Sequence, residues 1–458
     1  MNQTELALAF HPINRDTDFL LPPSVQEWLP EAHLARYVVD VIEGLDLSAL
    51  ERAYAGKGSD AYHPATLLSL LIYGYATGTF SSRKIERATY DSLAFRYIAC
   101  NRHPDHDTLA TFRRRFGAEF QSAFVQVLQV ARENQILRFG TVSLDGTKIH
   151  ANASRHSALS YGHCEKIEAH LNAEVQELLA LADAADQSTV PDGASLPDEI
   201  TRRADRLVAI AAAKATIEAR AKERFEGEQA EYKARMAARA AKEAESGKKP
   251  RGKAPKPPES GPRANDQINL TDDESRIMKV AGGGFEQCYN AQAVVDTESM
   301  LVLATHVTQA TNDKEQIKPM VEKRQANPDG LNQPETLLAD TGYFSQKNVT
   351  VCHGAKIKPM IAVKRDEHHP DWRERFTDPA PRAEGASPVD AMKHALKTKT
   401  GRAAYALRKQ TVEPVFGIIK SVMGFRQFLL RGLDNVKNEW TLVCLAWNLK
   451  RMAVLRPQ

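Results

Sequence analysis

Between residues 163 and 246 the chain consists largely of Ala, Glu, Lys and Arg, and the sequence on either side does not. Within that stretch Ile167, Leu171, Val175 and Leu178 recur at three- and four-residue steps, and Leu207, Ile210 and Ile217 continue the pattern after VPDGASLP (190–197) interrupts it. One apolar stripe on an otherwise charged surface predicts two long helices folded as a hairpin or coiled coil. The segment that follows, SGKKPRGKAPKPPESGPR (246–263), is basic and rich in Pro and Gly. Such a composition buries no core and reads as a mobile linker. Residues 155–275 therefore form a helical insertion, and the two flanking parts must fold around it.

Before the insertion, residues 1–135 read as mostly helical. HPATLLSLLIYGYATG (63–78) has apolar residues at helical spacing, with Gly78 as a stop and Ser82 as the cap of the next helix. In HPDHDTLATFRRRF (103–116), Asp107 reads as an N-cap, and the helix carries Arg113, Arg114 and Arg115. Three short helices with tight connections resemble a helix-turn-helix arrangement. FGTVSLDGTKIH (139–150) then alternates as a strand, with Asp145 at or near its end. After the insertion, FEQCYNAQAVVD and MLVLATHVTQA predict a hairpin turning at DTES. KEQIKPMVEKRQAN (314–327) reads as a helix and TLLAD (336–340) as a short buried strand ending in Asp340. QTVEPVFGIIKSVMG (410–424) reads as a helix with Glu413 and Pro414 in its first turn. With the insertion set aside, a mixed α/β sheet remains.

A length of 458 residues predicts two or three domains, and 42% hydrophobic with 26% charged residues describes a soluble globular protein. A net charge of +3 does not by itself announce nucleic-acid binding, so the distribution of charge matters more. The five cysteines form no C-x-x-C pair, which argues against a disulfide framework or a structural zinc site and fits a reducing cytosol. The N-terminus has no signal-peptide pattern. WTLVCLAWNL (440–449) is too short to span a bilayer and reads as a buried helix, so no membrane association is expected. His368 and His369, with His353 nearby, lack zinc-ligand spacing and read as solvated.

Three carboxylates stand out. Asp145 and Asp340 fall at predicted strand ends, and Glu413 falls on a helix able to pack beside them. Strand ends facing a helix are a common place for a site in an open α/β sheet. Hard divalent cations take oxygen ligands, and two such ions can activate an attacking oxygen and stabilise a leaving one at phosphorus. Each residue also has a plainer explanation. Asp145-Gly146 suits a hairpin turn, Asp340 an Asx turn, and Glu413 the positive end of a helix.

At these residues the sequence resembles the bacterial insertion-sequence transposases that join an InsH-type N-terminal domain to a DDE domain. The resemblance rests on HPATLLSLLIYGYATGTFSSRKIERATYDSLAFRYIACNRHPDHDTLATFRRRF (63–116), SLDGTKIHANAS (143–154), LLADTGYFS (337–345) and YALRKQTVEPVFGIIKSVMGFRQFLLRGL (405–433), with NLTDDESRIMK and YNAQAVVD between them. It implies an RNase H-like α/β catalytic fold over 136–154 and 276–458. It also implies a helical, helix-turn-helix-like DNA-binding domain over 1–135 and the helical insertion with its linker over 155–275. Asp145, Asp340 and Glu413 are implied as the DDE triad holding two Mg2+ or Mn2+ ions. Tyr405, Arg408, Glu413 and Lys420 resemble the signature around the glutamate. Four residues separate Arg408 from Glu413 where related families have three, and Lys409 stands at the usual spacing. Which of the two side chains meets DNA stays open.

The implied chemistry is cleavage of a phosphodiester at the element's end by activated water, then attack of the freed 3′-hydroxyl on target DNA. The implied partner is double-stranded DNA, as terminal inverted repeats and as target. Lys420, with Arg408 or Lys409, is expected near the cut, and Arg113, Arg114 and Arg115 on the phosphate backbone. The basic linker at 248–256 adds non-specific affinity or serves as a solubilising tether. The insertion pairs two chains, holds a second DNA end, or packs only on itself. A homodimer on DNA and a cytoplasmic, nucleoid-associated location are expected. A catalytically inactive DNA-binding regulator and a metal-dependent nuclease without joining activity are the competing functions.

Overall fold

The structure, a computed structural model, describes residues 24–54, 61–138, 140–183, 196–247, 252–327, 334–363, 377–381 and 387–456, with single positions at 331, 373, 385. His368 and His369 lie outside them, as do residues 248–251 of the basic linker.

Among the described residues, a 3-10 turn (Val25–Glu27) is followed by seven α-helices before the sheet: α1 (Leu34–Glu43), α2 (Ser48–Arg52), α3 (Pro64–Thr77), α4 (Ser82–Asp91), α5 (Leu93–Ile98), α6 (His106–Arg115) and α7 (Gly117–Glu133). Gly78 ends α3 at φ +85°, a left-handed conformation that costs glycine nothing, and its N–H returns to Gly74 O. Two sequence-based caps shift by a residue or two. Ser81 precedes α4 and makes no side-chain cap, and Asp105 rather than Asp107 caps α6 through Thr108 N. The side chain of Asp105 precedes the helix and can turn back onto its first N–H groups, whereas Asp107 is already inside the first turn.

The sheet begins at β1 (Thr141–His150). Next come β2 (Ala158–Ser160), the hairpin helices α8 (Tyr161–Asp183) and α9 (Leu196–Ser246), β3 (Gln267–Asn269), β4 (Arg276–Lys279), β5 (Phe285–Asp296) and β6 (Val302–Thr308). After these run α10 (Ile317–Gln325), β7 (Thr336–Ala339), α11 (Gln346–Gly354), β8 (Lys358–Ile361), α12 (Pro388–Lys397), α13 (Lys399–Gly417) and α14 (Leu433–Leu455). β1 pairs antiparallel with β5 from Val142↔Asp296 to His150↔Cys288. On its other side β1 pairs parallel with β7, over Thr141–Ser143 alone, and β7 pairs parallel with β8. β4 and β6 share the far edge of β5. The mixed α/β sheet expected from the sequence is therefore present, and the hairpin turns at 297–301 as read.

Strand alternation sends Asp145, Ala291 and Ala293 to one face of the sheet. Gly146, Lys148, Asn290 and Gln292 go to the other. α13 packs on β1, β5 and β7, while α14 packs on β6, α3 and α7. Residues 440–449 are buried in α14 as expected, and among the described residues no helix is long and apolar enough to cross a membrane. One continuous apolar core runs from Ala35 in α1 through the sheet to Met452 in α14, crossing the sequence break near residue 135.

The insertion has its own small clusters, Cys164–Leu171–Ile210 and Ala213–Ile217–Ile268. Glu174–Arg203 and Glu168–Lys214 ion pairs join α8 to α9, so the two helices form the predicted hairpin. The linker reading needs correction over 252–263. That segment runs back along α9, with Arg239 donating to Gly252 O, Arg224 donating to Gly261 O, and Arg263 paired with Glu228. An extended Pro-rich strand presents carbonyls that long arginine side chains on a neighbouring helix can reach.

Candidate active site

Asp145 sits in the middle of β1, not at its end, because antiparallel pairing with β5 carries the strand on to His150. No hairpin turn forms at Asp145-Gly146. On the β7 side, however, pairing stops at Ser143↔Leu338. Continuing that register two residues along both strands sets Asp145 beside Asp340. Neighbouring parallel strands lie about 4.8 Å apart, and residues in register share a face. Asp340 follows the last residue of β7 and caps the short 3-10 turn Thr341–Tyr343, with Oδ1 accepting from Gly342 N at 2.8 Å. The Asx-turn explanation holds for this residue, and the same turn leaves its carboxylate on the side of Asp145.

Glu413 reaches the same place from α13. It lies in the last third of that helix, not in its first turn, and Pro414 is inside the helix. Proline removes one N–H from the ladder. The helix runs three residues further and widens into π turns over Ile418–Val422. Gly401, Arg408, Val412 and Val415 form the buried stripe of α13, and Glu413 stands at its edge with its side chain 51% exposed. The Arg408 guanidinium, almost fully buried, lies between the acids. Nη1 is 3.4 Å from Asp145 Oδ2 and Nη2 is 3.2 Å from Glu413 Oε1. Tyr405, one turn earlier, donates to Ala339 O at 3.3 Å and ties α13 to the end of β7.

Burial pushes the Asp145 carboxyl up to about 7, and the negative charges of Asp340 and Asp313 push in the same direction. Its own bond from Gly146 N and the Arg408 charge oppose the rise. A buried carboxyl beside a like charge is relieved by a cation. The donor set is all oxygen, which suits Mg2+ or Mn2+. Among the described residues, no three His, Cys, Asp or Glu side chains are drawn together closely enough to hold an ion between them. The positive charge between Asp145 and Glu413 here is Arg408.

Residues 253–449 match the family model described as Transposase DDE domain, and residues 23–115 match that of the Transposase domain (DUF772). The two stretches take in most of the chain outside the insertion, and both describe transposases. The protein is an insertion-sequence transposase of the DDE type. Nothing among curated proteins or solved structures matches it. The family carries an RNase H-like α/β fold, acts on DNA and generally uses divalent metal ions. The matched DDE stretch includes Asp340 and Glu413. Asp145 precedes it; the sheet register sets it beside Asp340, and Arg408 links it to Glu413.

The residues expected on DNA divide into two groups in the transposase. Arg113 does not face solvent. It donates to Tyr75 OH at 3.0 Å and to Phe80 O at 3.1 Å, and the Tyr75 hydroxyl donates to the buried Glu439 at 2.7 Å. Consecutive helical residues point about 100° apart, so three arginines in a row cannot share a face. Arg113 shares the inward side with Leu109 and Phe116, while Arg114 and Arg115 are exposed. Arg115 also donates to Ala53 O and lies over the Phe116 ring. Arg408 is likewise directed inward, onto the acids, and the neighbouring Lys409 is exposed. Lys420 does not follow Glu413 along two regular turns, because the π segment intervenes. Its Nζ donates to Lys148 O at 2.8 Å, at the far part of β1.

The sequence reading missed a polar cluster on the opposite face of the sheet, made of Asp313, Asn290, Gln292, Lys148 and Tyr343. Its signal in the sequence is the pair of amides Asn290 and Gln292, alternating with Ala291 and Ala293 within the buried part of β5.

Proposed function

We propose that the transposase cleaves a phosphodiester at the end of its element and joins the freed 3′-hydroxyl to target DNA, with Asp145, Asp340 and Glu413 as the metal-holding acids. The alignment of Asp145 with Asp340 on adjacent parallel strands, with Glu413 tied to Asp145 through Arg408, carries this reading. Bound Mg2+ or Mn2+, in the family's two-ion arrangement, would neutralise charge at the attacking and leaving oxygens. The chain's own part is to hold the acids. β1 fixes Asp145 in an unbroken strand, the Thr341–Tyr343 turn fixes Asp340, and the buried stripe of α13 sets the height of Glu413. Arg408 supplies positive charge between Asp145 and Glu413.

Arg114 and Arg115 on α6, Lys409 beside the acids and Lys420 at the end of α13 are the proposed phosphate contacts. The N-terminal helical region, residues 1–135, is the proposed DNA-binding domain, with the transposase acting as a homodimer on DNA. An oligonucleotide carrying the element's terminal sequence, incubated with Mg2+ and target DNA, tests the reading. Cleavage followed by strand transfer is expected, with both lost in Asp145→Ala and DNA binding retained. Cleavage without joining identifies a nuclease. DNA binding without cleavage identifies a regulator. Cleavage surviving in Asp145→Ala removes the assignment of the acids.

A further inference from the structure

The ladder between β1 and β7 ends at Ser143↔Leu338, two residues short of both aspartates. Backbone pairing therefore aligns the two strands but stops short of the aspartates, and other contacts finish setting the separation of their carboxylates. A chain of side-chain hydrogen bonds on the opposite face of the sheet spans the gap. Tyr343, three residues after Asp340 in the same turn, donates its hydroxyl to Gln292 Oε1. Gln292 stands opposite Gly146 in the register, next to Asp145. The Gln292 amide is oriented from its other end, where Nε2 donates to Asp313 Oδ1 at 2.6 Å and to Asn290 Oδ1 at 3.0 Å. Asn290 Nδ2 donates to the same Asp313 oxygen at 2.7 Å, and Lys148 Nζ lies 3.8 Å from it.

Asp313 comes from the loop between β6 and α10. Asn348 ties that loop to the Asp340 turn by donating to Lys314 O at 2.6 Å and to Tyr343 O at 2.7 Å. Space at the centre is closed. A Cβ on Gly146 would come within 2.1 Å of Gln292 Nε2 and 2.7 Å of Asp313 Oδ1. Gln292 and Asn290 are fully buried, so their amides have no water to fall back on.

We propose that Asp313 is a positioning residue that sets the distance between the two catalytic aspartates by fixing Gln292 so that its oxygen receives Tyr343. A buried amide has two chemically opposite ends, and acceptors at Nε2 leave Oε1 facing the tyrosine; Asp313 is one of them, and by accepting from Asn290 Nδ2 it also turns the oxygen of Asn290, the other, toward Gln292. Asp313 is engaged by two amides and a lysine, so it orients the site from behind and does not hold the ion. The inference rests on the metal-holding role of Asp145 and Asp340 proposed above.

The test is Mn2+ binding to the full chain, read as loss of the free-ion electron paramagnetic resonance signal. Groups that orient metal ligands typically change affinity about 10- to 100-fold when removed. Asp313→Ala is expected to weaken Mn2+ binding at least about tenfold. Asp313→Asn, which keeps an acceptor oxygen in place, is expected to recover most of the loss. Tyr343→Phe removes one oxygen from a buried ring. It should weaken binding to a similar degree, and the Asp313→Ala, Tyr343→Phe double variant should be no worse than the poorer single one. Wild-type affinity in Asp313→Ala overturns the proposal. So does a double variant whose loss is the sum of the two single losses, since the residues then act separately. Asp145→Ala separates the two levels. If it binds Mn2+ like the wild type, the metal reading falls and this one with it. If it loses Mn2+ while Asp313→Ala does not, only the positioning role falls.

Discussion

Asp145 bears an electrostatic load that folding alone does not relieve. Its carboxyl is pushed up to about 7 in the native chain, against 3.8 for a free aspartate, chiefly because it is buried and further because of the negative charges of Asp340 and Asp313. The sign of the linkage follows. Between about pH 4 and 7 the native state holds a proton that the unfolded chain has released, so stability falls as pH rises through that window. Above pH 7 the penalty is complete, on the order of a few kcal/mol. Below about pH 4 both states are protonated and the penalty is absent. Asp145→Asn should therefore be more stable than wild type at pH 8 and equal to it near pH 4, in urea denaturation with a chelator present. Added Mn2+ should reverse the order at pH 8, because it stabilises only the chain that binds it. Equal stability of the two proteins at pH 8 in chelator would show that Asp145 carries no such load.

At the level of elements, α6 and α13 show what the sequence could and could not disclose. The candidate acids Asp145, Asp340 and Glu413 fall on a strand, just past a strand and on a helix, in the order expected, although Asp145 is mid-strand and Glu413 is late in its helix. The partners of those acids were not legible in the sequence. Arg113 and Arg408 read as DNA contacts, since a basic residue on a helix is ordinarily solvated. What turns them inward is the identity of the residues three and four away, together with a buried acid from a distant segment. Arg113 meets Glu439 through Tyr75, residues more than three hundred positions apart. Burial pushes the Glu439 carboxyl up, with Arg113 and the N–H groups of Leu429 and Leu430 countering it. Removing one member of such a buried set costs about 3–5 kcal/mol, because the remaining charge is left in the core. Arg113→Met should therefore lower the urea midpoint strongly. Arg114→Ala, one residue on, should change stability by less than about 0.5 kcal/mol. It should also reduce the salt dependence of DNA binding by about one unit of slope. A stable Arg113→Met protein with weakened DNA binding would reverse these two assignments.

Over the whole molecule, the apolar core and the insertion are separate structures. The core joins α1 to α14 across the sheet without a break, whereas the clusters of the α8–α9 hairpin contain none of its residues. The chain leaves and returns at one point. β2 pairs with β3, and Leu270 N donates to Ser157 O at 3.0 Å, so the ends of a 112-residue excursion meet. Closing a loop costs free energy that grows only slowly with its length, so a long excursion from a closed base is tolerated and so is its removal. The sequence announced this arrangement through composition alone, since a charged helical run cannot contribute to a sheet core. What it could not announce is the docking of 252–263 onto α9, because that depends on where arginines 224 and 239 fall along the helix. Replacing residues 158–269 by a short Gly-Ser turn between Ser157 and Leu270 should leave the sheet folded, with a thermal midpoint within a few degrees of the full chain and Mn2+ binding retained. Light scattering on the same variant with DNA ends reads the role of the hairpin. A complex that drops from two chains to one identifies α8–α9 as the pairing element, and an unchanged complex shows that the hairpin packs only on itself. Collapse of the thermal midpoint would instead mean that the insertion braces the sheet, and the separation drawn from the two sets of clusters would be wrong.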